Sequence, residues 1–494
     1  ATLKPTADKE LAMGLNRFVI HTSVHQPLVD KGPGLALGPF GQWFTRNETW
    51  AGAGAKAWIS YLARSSYMLQ QGRFVADIAW FYGEDSNITA LYGKAAPAIP
   101  EGYNFDYVNA DALQHQFKVL DGQLGTPGGA RYRVLALDPR AVHMSLPVLR
   151  AIRDLVAAGA VVVGAPPTDS PSLADDDAEF HSIVKEVWGD KGPPMHAYGK
   201  GQVYGGAELG DVLAGAGVQP DFQHSKPQKD TQLLAVHRKL ADGDLYFVDS
   251  RNDKAQSLEA SFRVTGLAPE LWHAETGRSE PAAWRVDGKR TVVALDLAPW
   301  EAVFVVFRKP TQAHAGTPAA TRSESLGALD GPWQVAFQPG RHAPASAQLP
   351  LGSWSDNSDE GIRYFAGTGT YSRTLDVKPG WLGKGAQVWL DLGEVHELAE
   401  VIVNGTSLGV SWRPPYRVDI ASALHAGSNT LEIAVTDLWV NRLIRDAQPD
   451  VKDAFTFTVP KFYKGKEPLV PAGLVGPVKL ERIAPVAAAA APAR

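Results

Sequence analysis

Two histidines near the N-terminus, His21 and His25, have the H-x-x-x-H spacing of a metal-binding pair. That spacing brings two imidazoles to one side only on a helix, whereas Pro27 and the apolar run before His21 favour a strand that ends there. Because barrel enzymes bind substrates at the carboxyl ends of their strands, we expect His21 and His25 to form hydrogen bonds with a substrate. Metal binding and a structural role are the alternatives.

The segment GPFGQWFTRNETW (38–50) gathers aromatic and polar side chains in one glycine-flanked loop. Indole rings stack on the C–H faces of sugars, and arginine and asparagine form paired hydrogen bonds with hydroxyl groups. A loop this long between regular elements is typical of a functional surface loop. The residues expected to bind a saccharide here are Trp43, Arg46, Asn47 and Trp50. Alternatively, the aromatic rings only close the mouth of a barrel.

A pair of adjacent acids, Glu84 and Asp85, follows an apolar run that ends at Tyr82. Glycoside hydrolysis uses two carboxyl groups about 5–10 Å apart across the bond. Neighbours on a strand point to opposite faces, so these two acids cannot form that pair and we expect a solvated turn. The chain has no G-x-S-x-G, P-loop or H-E-x-x-H motif, and its lack of cysteine excludes thiol catalysis, disulfides and zinc–thiolate sites. Catalytic residues and metal ligands stay unassigned.

The elements that position the two histidines and the aromatic loop are predicted to be a helix over 6–16 and the strand RFVIHT over 17–22. The long loop over 25–50 comes next, and a second helix is expected over 55–71. This gives one helix–strand unit, a lid-like loop and a further helix.

Residues 72–228 are predicted to form a doubly wound α/β domain. Near-continuous apolar runs alternate here with helical patterns, which is typical of parallel strands buried on both faces; the runs cover 74–82, 105–113, 132–137 and 160–164, with a helix over 146–159. The domain is similar to the glutamine amidotransferase fold but has no cysteine, so any role is structural or binding.

The rest of the chain is predicted to be β-structure. Short strands without helices indicate a small antiparallel sandwich over 229–308, and a stretch rich in Ala, Thr, Pro and Ser indicates a linker over 309–325. Regularly spaced alternating strands favour a jelly roll over 326–484, with Asn404-Gly405 as a type I′ hairpin turn. Residues 485–494 are expected to be a frayed tail.

Composition narrows the class of protein. The 494 residues are too many for one core. The net charge of −5 gives no basic excess, so we expect neither nucleic acid nor a membrane surface as a partner. No run of about 18 apolar residues is present.

Several motifs carry a resemblance that covers nearly the whole chain. GLNRFVIHTSVHQP and the stretch from FGQWFTRNETW to FYGE, with LWHAETG further on, make the chain similar to the C-terminal portion of α-L-rhamnosidases of glycoside hydrolase family 106. The last module resembles galactose-binding-like jelly rolls through FAGTGTYSRTLDV, VIVNGTSLGVSWRPPYRVDI and DLWVNRLIRDAQ.

The resemblance implies hydrolysis of terminal α-L-rhamnosides with inversion by two glutamates, in a (β/α)8 barrel, with bound calcium and no organic cofactor. Residues 1–71 would be the last barrel unit, and the glutamates and the upstream barrel half would precede residue 1. Glu48 is better placed than Glu10, but neither is assigned.

A rhamnose-containing glycoside or glycan would be the partner, and this substrate class implies a periplasmic or secreted location. The alternatives are a β-galactosidase-like hydrolase and a non-catalytic saccharide-binding or assembly module.

Overall fold

The computed structural model describes residues 2–21, 23, 25–26, 28, 30–35, 45–85, 96–190, 194–452, 454–459 and 461–486. Three units follow one another along this chain: an α/β domain, a small β-sandwich, and a C-terminal β-sandwich. Two N-terminal helices, Lys4–Ala12 and Ala53–Leu69, lie between the two sandwiches. None of the described helices is long and apolar enough to cross a membrane.

The α/β domain contains a six-stranded sheet in which five neighbouring strands are parallel and the sixth, at one edge, is antiparallel. Across the sheet the strands are His196–Tyr198, Gly201–Tyr204, Val161–Val163, Val134–Leu137, Ile78–Phe81 and Phe105–Val108. The helices are Ala110–His115, Leu146–Ala158, Asp177–Trp188 and Leu209–Gly215. Alternate side chains of the central strands enter two separate cores, one under the helix Leu146–Ala158 and one under Leu209–Gly215. Helices therefore cover both faces of this mainly parallel sheet. A three-stranded sheet (Lys118–Leu120, Gln123–Gly125, Arg131–Tyr132) completes the domain.

The small sandwich packs a five-stranded sheet on a six-stranded one, and its interstrand pairs are antiparallel. The first sheet contains Phe222–His224, Gln256–Phe262, Arg290–Leu297, Ala283–Asp287 and Ala315–Gly316. The second contains Arg278–Pro281, Leu267–His273, Ala302–Pro310, Asp244–Ser250, Leu233–Lys239 and Arg73–Phe74. Two strands that lie within the predicted domain 72–228, Arg73–Phe74 and Phe222–His224, belong to the sandwich instead, because each satisfies the open edge of one of its sheets.

The C-terminal sandwich packs a six-stranded antiparallel sheet against a four-stranded one around a single apolar core. The larger sheet contains Ser346–Leu349, Trp333–Phe337, Thr368–Val377, Gly427–Thr436, Leu398–Val403 and Thr406–Ser411. The smaller contains Thr321–Ala328, Lys479–Pro485, Gln387–Asp391 and Arg417–Asp419, and a further pair joins Glu394–His396 to Gly473–Gly476. Two helices (Glu360–Arg363, Val440–Asp446) and three 3-10 turns (Trp354–Asp356, Pro379–Trp381, Ala421–Ala423) connect them. The predicted hairpin turn is confirmed, since φ is 50° at Asn404 and 76° at Gly405.

Two sequence predictions are wrong in the described residues. Arg17–His21 form no strand, and Val19 and Ile20 are 91% and 45% exposed. A strand is stable only when its backbone pairs with a neighbour, and these residues pair with no described strand. Residues 309–325 are not a free linker either, because Ala315–Gly316 pairs with the small sandwich and Thr321–Ala328 with the C-terminal one. Backbone pairing there does not need apolar side chains.

The N-terminal helices are fixed by a buried polar cluster. The Lys4 ammonium lies 2.5 Å from the Asp8 carboxylate and donates to the Trp300 carbonyl at 3.0 Å, and the Tyr61 hydroxyl donates to Asp8. Tyr61 also packs against Trp412 of the C-terminal sandwich, with ring centroids 5.6 Å apart. The helices therefore join the two sandwiches.

A second buried ionic cluster joins the α/β domain to the small sandwich. His237 lies between two carboxylates, with Nδ1 3.0 Å from Asp221 and Nε2 3.0 Å from Asp244. Arg263 binds both Asp221 and Asp77. Although burial opposes it, the charge of Asp221 raises the pKa of His237, and the imidazolium in turn holds the pKa of Asp221 low.

Candidate functional site

A polar cavity of about 390 Å³ lies between the N-terminal loop and the C-terminal sandwich. Asp30, Gly32 and residues 46–49 line it from the loop, and Gln338, Arg341 and Thr368 line it from the sandwich. A smaller and more open cavity of about 240 Å³ lies on the small sandwich beside Gln256. The larger cavity is lined by two of the residues predicted to bind a saccharide, Arg46 and Asn47, so it is the candidate site.

The wall of the cavity depends on contacts between residues almost 400 positions apart. The Trp439 indole N–H donates to the carbonyl of Asn47 at 3.1 Å, and the Thr49 hydroxyl donates to the carbonyl of Asp437. Gly32 packs so closely on Trp439 that an added Cβ would lie 2.3 Å from the indole ring. Next to it, Pro33–Leu35 forms a parallel pair with Phe457–Val459. Residues 32–35 and 47–49 are thus fixed on the sandwich surface.

Glu48 is the buried carboxyl group of this cavity. The residue is 8% exposed, and its Oε1 has no hydrogen-bond partner among the described residues. Burial raises the pKa of Glu48 to about 8, although a hydrogen bond with Trp50 opposes the rise. Glu48 is therefore mostly protonated at neutral pH and can deliver a proton to a group that enters the cavity.

Arg46 and Asn47, both predicted to bind a saccharide, line the cavity. Arg46 is exposed at its mouth. The Asn47 side-chain amide donates to the carbonyl of Leu28 at 3.0 Å, so it also holds the loop in shape. The structure brings these two residues together with Glu48 through local sequence alone.

The other predicted residues lie elsewhere. His21 and His25 are exposed in irregular chain and do not line the cavity. Trp50 is half-buried and contacts Glu48 without lining the cavity. Trp43 lies outside the described residues. A saccharide-binding role for these four residues stays a prediction.

Residues of the C-terminal sandwich were missed by the sequence analysis. The Arg341 guanidinium lies over the Trp439 ring, 4.3 Å from its centroid, and burial lowers its pKa. The Gln338 side chain accepts a hydrogen bond from the Thr368 backbone at 3.2 Å. No sequence motif links these residues to the loop, because only the packing of Trp439 on Gly32 brings them there.

Glu84 has a partner that the sequence did not reveal. Its two carboxylate oxygens accept from the Ser145 backbone N–H at 2.7 Å and from the Ser145 hydroxyl at 2.9 Å. Glu84 therefore caps the N-terminus of the helix Leu146–Ala158. The interpretation of Glu84 as part of a merely solvated turn was incomplete.

Among the described residues, no group of three or more His, Asp or Glu side chains is placed to hold a metal ion. The described side chains therefore do not fit a calcium site built from such a cluster, and we derive no step through calcium.

A family model described as alpha-L-rhamnosidase, glycoside hydrolase family 106, matches residues 1–286, which is more than half of the chain. A model described as a galactose-binding-like domain of glycosyl hydrolase family 2 matches residues 353–463, within the C-terminal sandwich.

Two proteins are similar to nearly the whole chain. A solved structure of a rhamnosidase from Novosphingobium sp. PP1Y is 44% identical, has a TM-score of 0.92, and is matched over 97% of this chain and 46% of its own. A protein of Formosa agariphila named "Putative beta-glucuronidase" is 26% identical, over 97% of this chain and 61% of its own. The chain thus spans less than two thirds of the length of either protein.

Proposed function

The chain belongs to the alpha-L-rhamnosidases of glycoside hydrolase family 106, and we propose that its cavity binds and hydrolyses terminal α-L-rhamnosides. The observation that carries this proposal is Glu48, a buried carboxyl group with a pKa of about 8 at the wall of a polar cavity. Cleavage of a glycosidic bond requires a proton for the departing oxygen, and a raised carboxyl pKa supplies it at neutral pH. We propose Glu48 as this general acid.

The second carboxyl group and the inversion of configuration are proposals that rest on the family resemblance. An inverting hydrolase places its two carboxyl groups roughly 6.5–9.5 Å apart, so that a water molecule fits opposite the leaving group. We propose that a glutamate of the (β/α)8 barrel expected for this family activates this water. Arg46 and Asn47 would then orient the sugar hydroxyls.

The test is the substitution Glu48→Gln in the enzyme that contains this chain. Glutamine keeps the shape of the side chain and removes its acidic proton, so kcat on an aryl α-L-rhamnoside should fall about 10²–10⁴-fold. The loss should be larger for a poor leaving group than for nitrophenol, because only a poor one needs the proton. Glu10→Gln, at an exposed position of the first helix, is the matched control and should retain activity within about twofold.

The outcome also separates the two carboxyl roles. A loss that is independent of the leaving group and is restored by azide would make Glu48 the general base instead of the acid. Unchanged kinetics for Glu48→Gln would remove it from the mechanism.

The remaining proposals are tested on the same enzyme. Hydrolysis rates on an aryl α-L-rhamnoside, an aryl β-D-glucuronide and an aryl β-galactoside, measured side by side, show which glycoside the enzyme prefers. Arg46→Ala and His21→Ala should raise KM with little change in thermal stability if both residues contact the sugar. Activity after exhaustive treatment with a chelator, with and without added Ca²⁺, tests the calcium that the family resemblance implies. Fractionation of the producing cells tests the proposed periplasmic or secreted location.

A further inference from the structure

Arg341 brings a positive charge into the cavity from the C-terminal sandwich. It follows the strand Trp333–Phe337 and stacks on Trp439, which is only 2% exposed. The guanidinium forms no ion pair or hydrogen bond with another residue in the described part of the chain. A planar guanidinium stacked by one face keeps the N–H groups along its edge free to bind a ligand.

Among the described residues, no carboxylate forms an ion pair with the Arg341 guanidinium. The carboxyl group that interacts electrostatically with Arg341 is that of Asp437, which is 3% exposed. Burial raises the pKa of Asp437 far above its ordinary value and so disfavours the ionised form that would balance the arginine. One Asp437 oxygen accepts from the Gly367 backbone at 2.7 Å, which fixes the group in the sandwich.

The other charged groups that line the cavity leave it with a net positive charge. Arg46 adds a second positive charge, Asp30 one negative charge, and Glu48 is mostly protonated at neutral pH. The cavity as a whole therefore favours a ligand that carries one negative charge.

We propose that Arg341 is a specificity-determining residue that binds an anionic group on the sugar next to the scissile rhamnose. This inference rests on the proposed rhamnosidase function. The shared chemistry is a planar or tetrahedral oxyanion that accepts two parallel N–H···O bonds, either the carboxylate of a uronic acid or a sulfate ester. The substrate is then an acidic glycan, with rhamnose at its non-reducing end.

The decisive comparison uses one disaccharide in two charge states. Rhamnosyl-glucuronic acid and its methyl ester differ only in the carboxylate, and a rhamnosyl disaccharide sulfated on the second sugar tests the other anion. The wild-type enzyme should prefer an anionic form over the ester by about tenfold or more in kcat/KM, through KM, because a charge-assisted pair is worth that much. Added NaCl should reduce the preference.

Variants of Arg341 test whether this residue causes the preference for the anionic substrate. Arg341→Met keeps much of the stacking surface and should lower the acid-to-ester ratio at least tenfold, with a smaller loss on the ester itself. Arg341→Lys keeps the positive charge but loses the paired N–H donors, so its acid-to-ester ratio should lie between those of wild type and Arg341→Met. Arg373→Met is the matched control, because Arg373 also stacks on a tryptophan of the same sandwich, at 4.9 Å from Trp333, outside the cavity.

Three results would overturn the inference. The wild type shows no preference among the acid, the sulfate and the ester; or Arg341→Met lowers activity on acid and ester equally; or Arg373→Met changes the ratio as much as Arg341→Met. In each case rhamnoside hydrolysis itself stands.

If the wild type hydrolyses no rhamnoside, the proposed function fails instead. Calorimetric titration of the 494-residue chain with the acid and with its ester then decides the inference separately. Binding of the acid alone, lost in Arg341→Met, supports it, and equal or absent binding of both refutes it.

Discussion

The burial of Glu48 should make the docked loop less stable as the pH rises, and Glu48→Gln should remove this dependence. Burial raises the pKa of the carboxyl group to about 8 from its ordinary 4.5. Between these values the folded protein keeps the proton while the opened loop releases it, so deprotonation favours the opened state. Stability is therefore highest below pH 4.5, falls as the pH rises, and levels off above pH 8.

The size of the effect follows from the shift in pKa. At ~1.4 kcal/mol per pH unit, a carboxyl group with a pKa of about 8 in place of 4.5 costs roughly 5 kcal/mol when the pH exceeds 8. Entry of water and relaxation of the loop reduce the cost of a buried charge, so we expect about 2–5 kcal/mol. Glutamine mimics the protonated acid and avoids this cost at every pH.

Hydrogen–deuterium exchange measures this directly on peptides that contain residues 45–51. After correction for intrinsic exchange rates, Glu48→Gln should protect the loop about 30-fold or more over wild type at pH 8.5. Protection of the two proteins should nearly agree at pH 5. The exposed-site variant Glu10→Gln should follow wild type at both pH values.

The same experiment can refute the reasoning. If the difference in protection between wild type and Glu48→Gln does not change with pH, the carboxyl group does not lose its proton between pH 5 and 8.5. If the variant is less protected at pH 8.5, the ionised carboxylate has a partner that stabilises it, and the proposal of a buried acid fails.

Three further substitutions test the packing around the site. His237→Phe should destabilise the protein by about 3–5 kcal/mol at pH 6, because it leaves buried carboxylates without their imidazolium. The raised pKa of His237 means that the imidazolium stabilises the fold below pH 6.5 and that this contribution is lost at alkaline pH. In thermal unfolding, the difference between wild type and variant should therefore be smaller at pH 9 than at pH 6. Gly32→Ala places a methyl group 2.3 Å from the Trp439 ring and should lower kcat/KM about tenfold, whereas Gly206→Ala, with open space around it, should match wild type. Trp439→Phe removes the donor to the Asn47 carbonyl and should increase deuterium exchange of the loop 45–51 at both pH 5 and 8.5.

Most elements of the fold could be predicted from local patterns. The helix Leu146–Ala158 has apolar residues on one face and a glycine after its last turn, and the central strands of the α/β domain are short apolar runs between turns. In the C-terminal sandwich, alternating residues enter the core along Gly427–Thr436. These signals are local, so one sequence contains them in full.

The prediction of a strand over 17–22 shows the limit of such signals. The run RFVIHT has the composition of a strand, yet a strand forms only where a neighbour offers backbone partners, and the run itself does not reveal the neighbour. The same holds for Arg73–Phe74 and Phe222–His224, each of which completes the edge of a different sheet formed mainly by later residues.

Only the part of the candidate site that residues 46–48 form could be predicted from the sequence. Arg46 and Asn47 stand beside Glu48 in the chain, so their composition alone indicated a saccharide loop. Arg341 stands almost 300 residues away in a polar turn, and its place in the cavity depends on its stack with Trp439. Neither the charge nor the pKa of Glu48 could be predicted from the sequence, because both depend on how the folded chain buries its carboxyl group.

The C-terminal sandwich therefore has a role beyond that of an appended sugar-binding module. A buried carboxyl group with one oxygen that lacks a hydrogen-bond partner, as in Glu48, opposes folding, and it persists only where surrounding contacts outweigh this cost. Here those contacts come from the sandwich: the Trp439 and Thr49 hydrogen bonds, the close fit of Gly32, and the strand pair at Phe457–Val459. Because the same surface carries Arg341, we propose that one domain both keeps Glu48 protonated and sets the charge that a ligand must bring. A change that loosens the sandwich should then lower the pKa of Glu48 and weaken anion selectivity together.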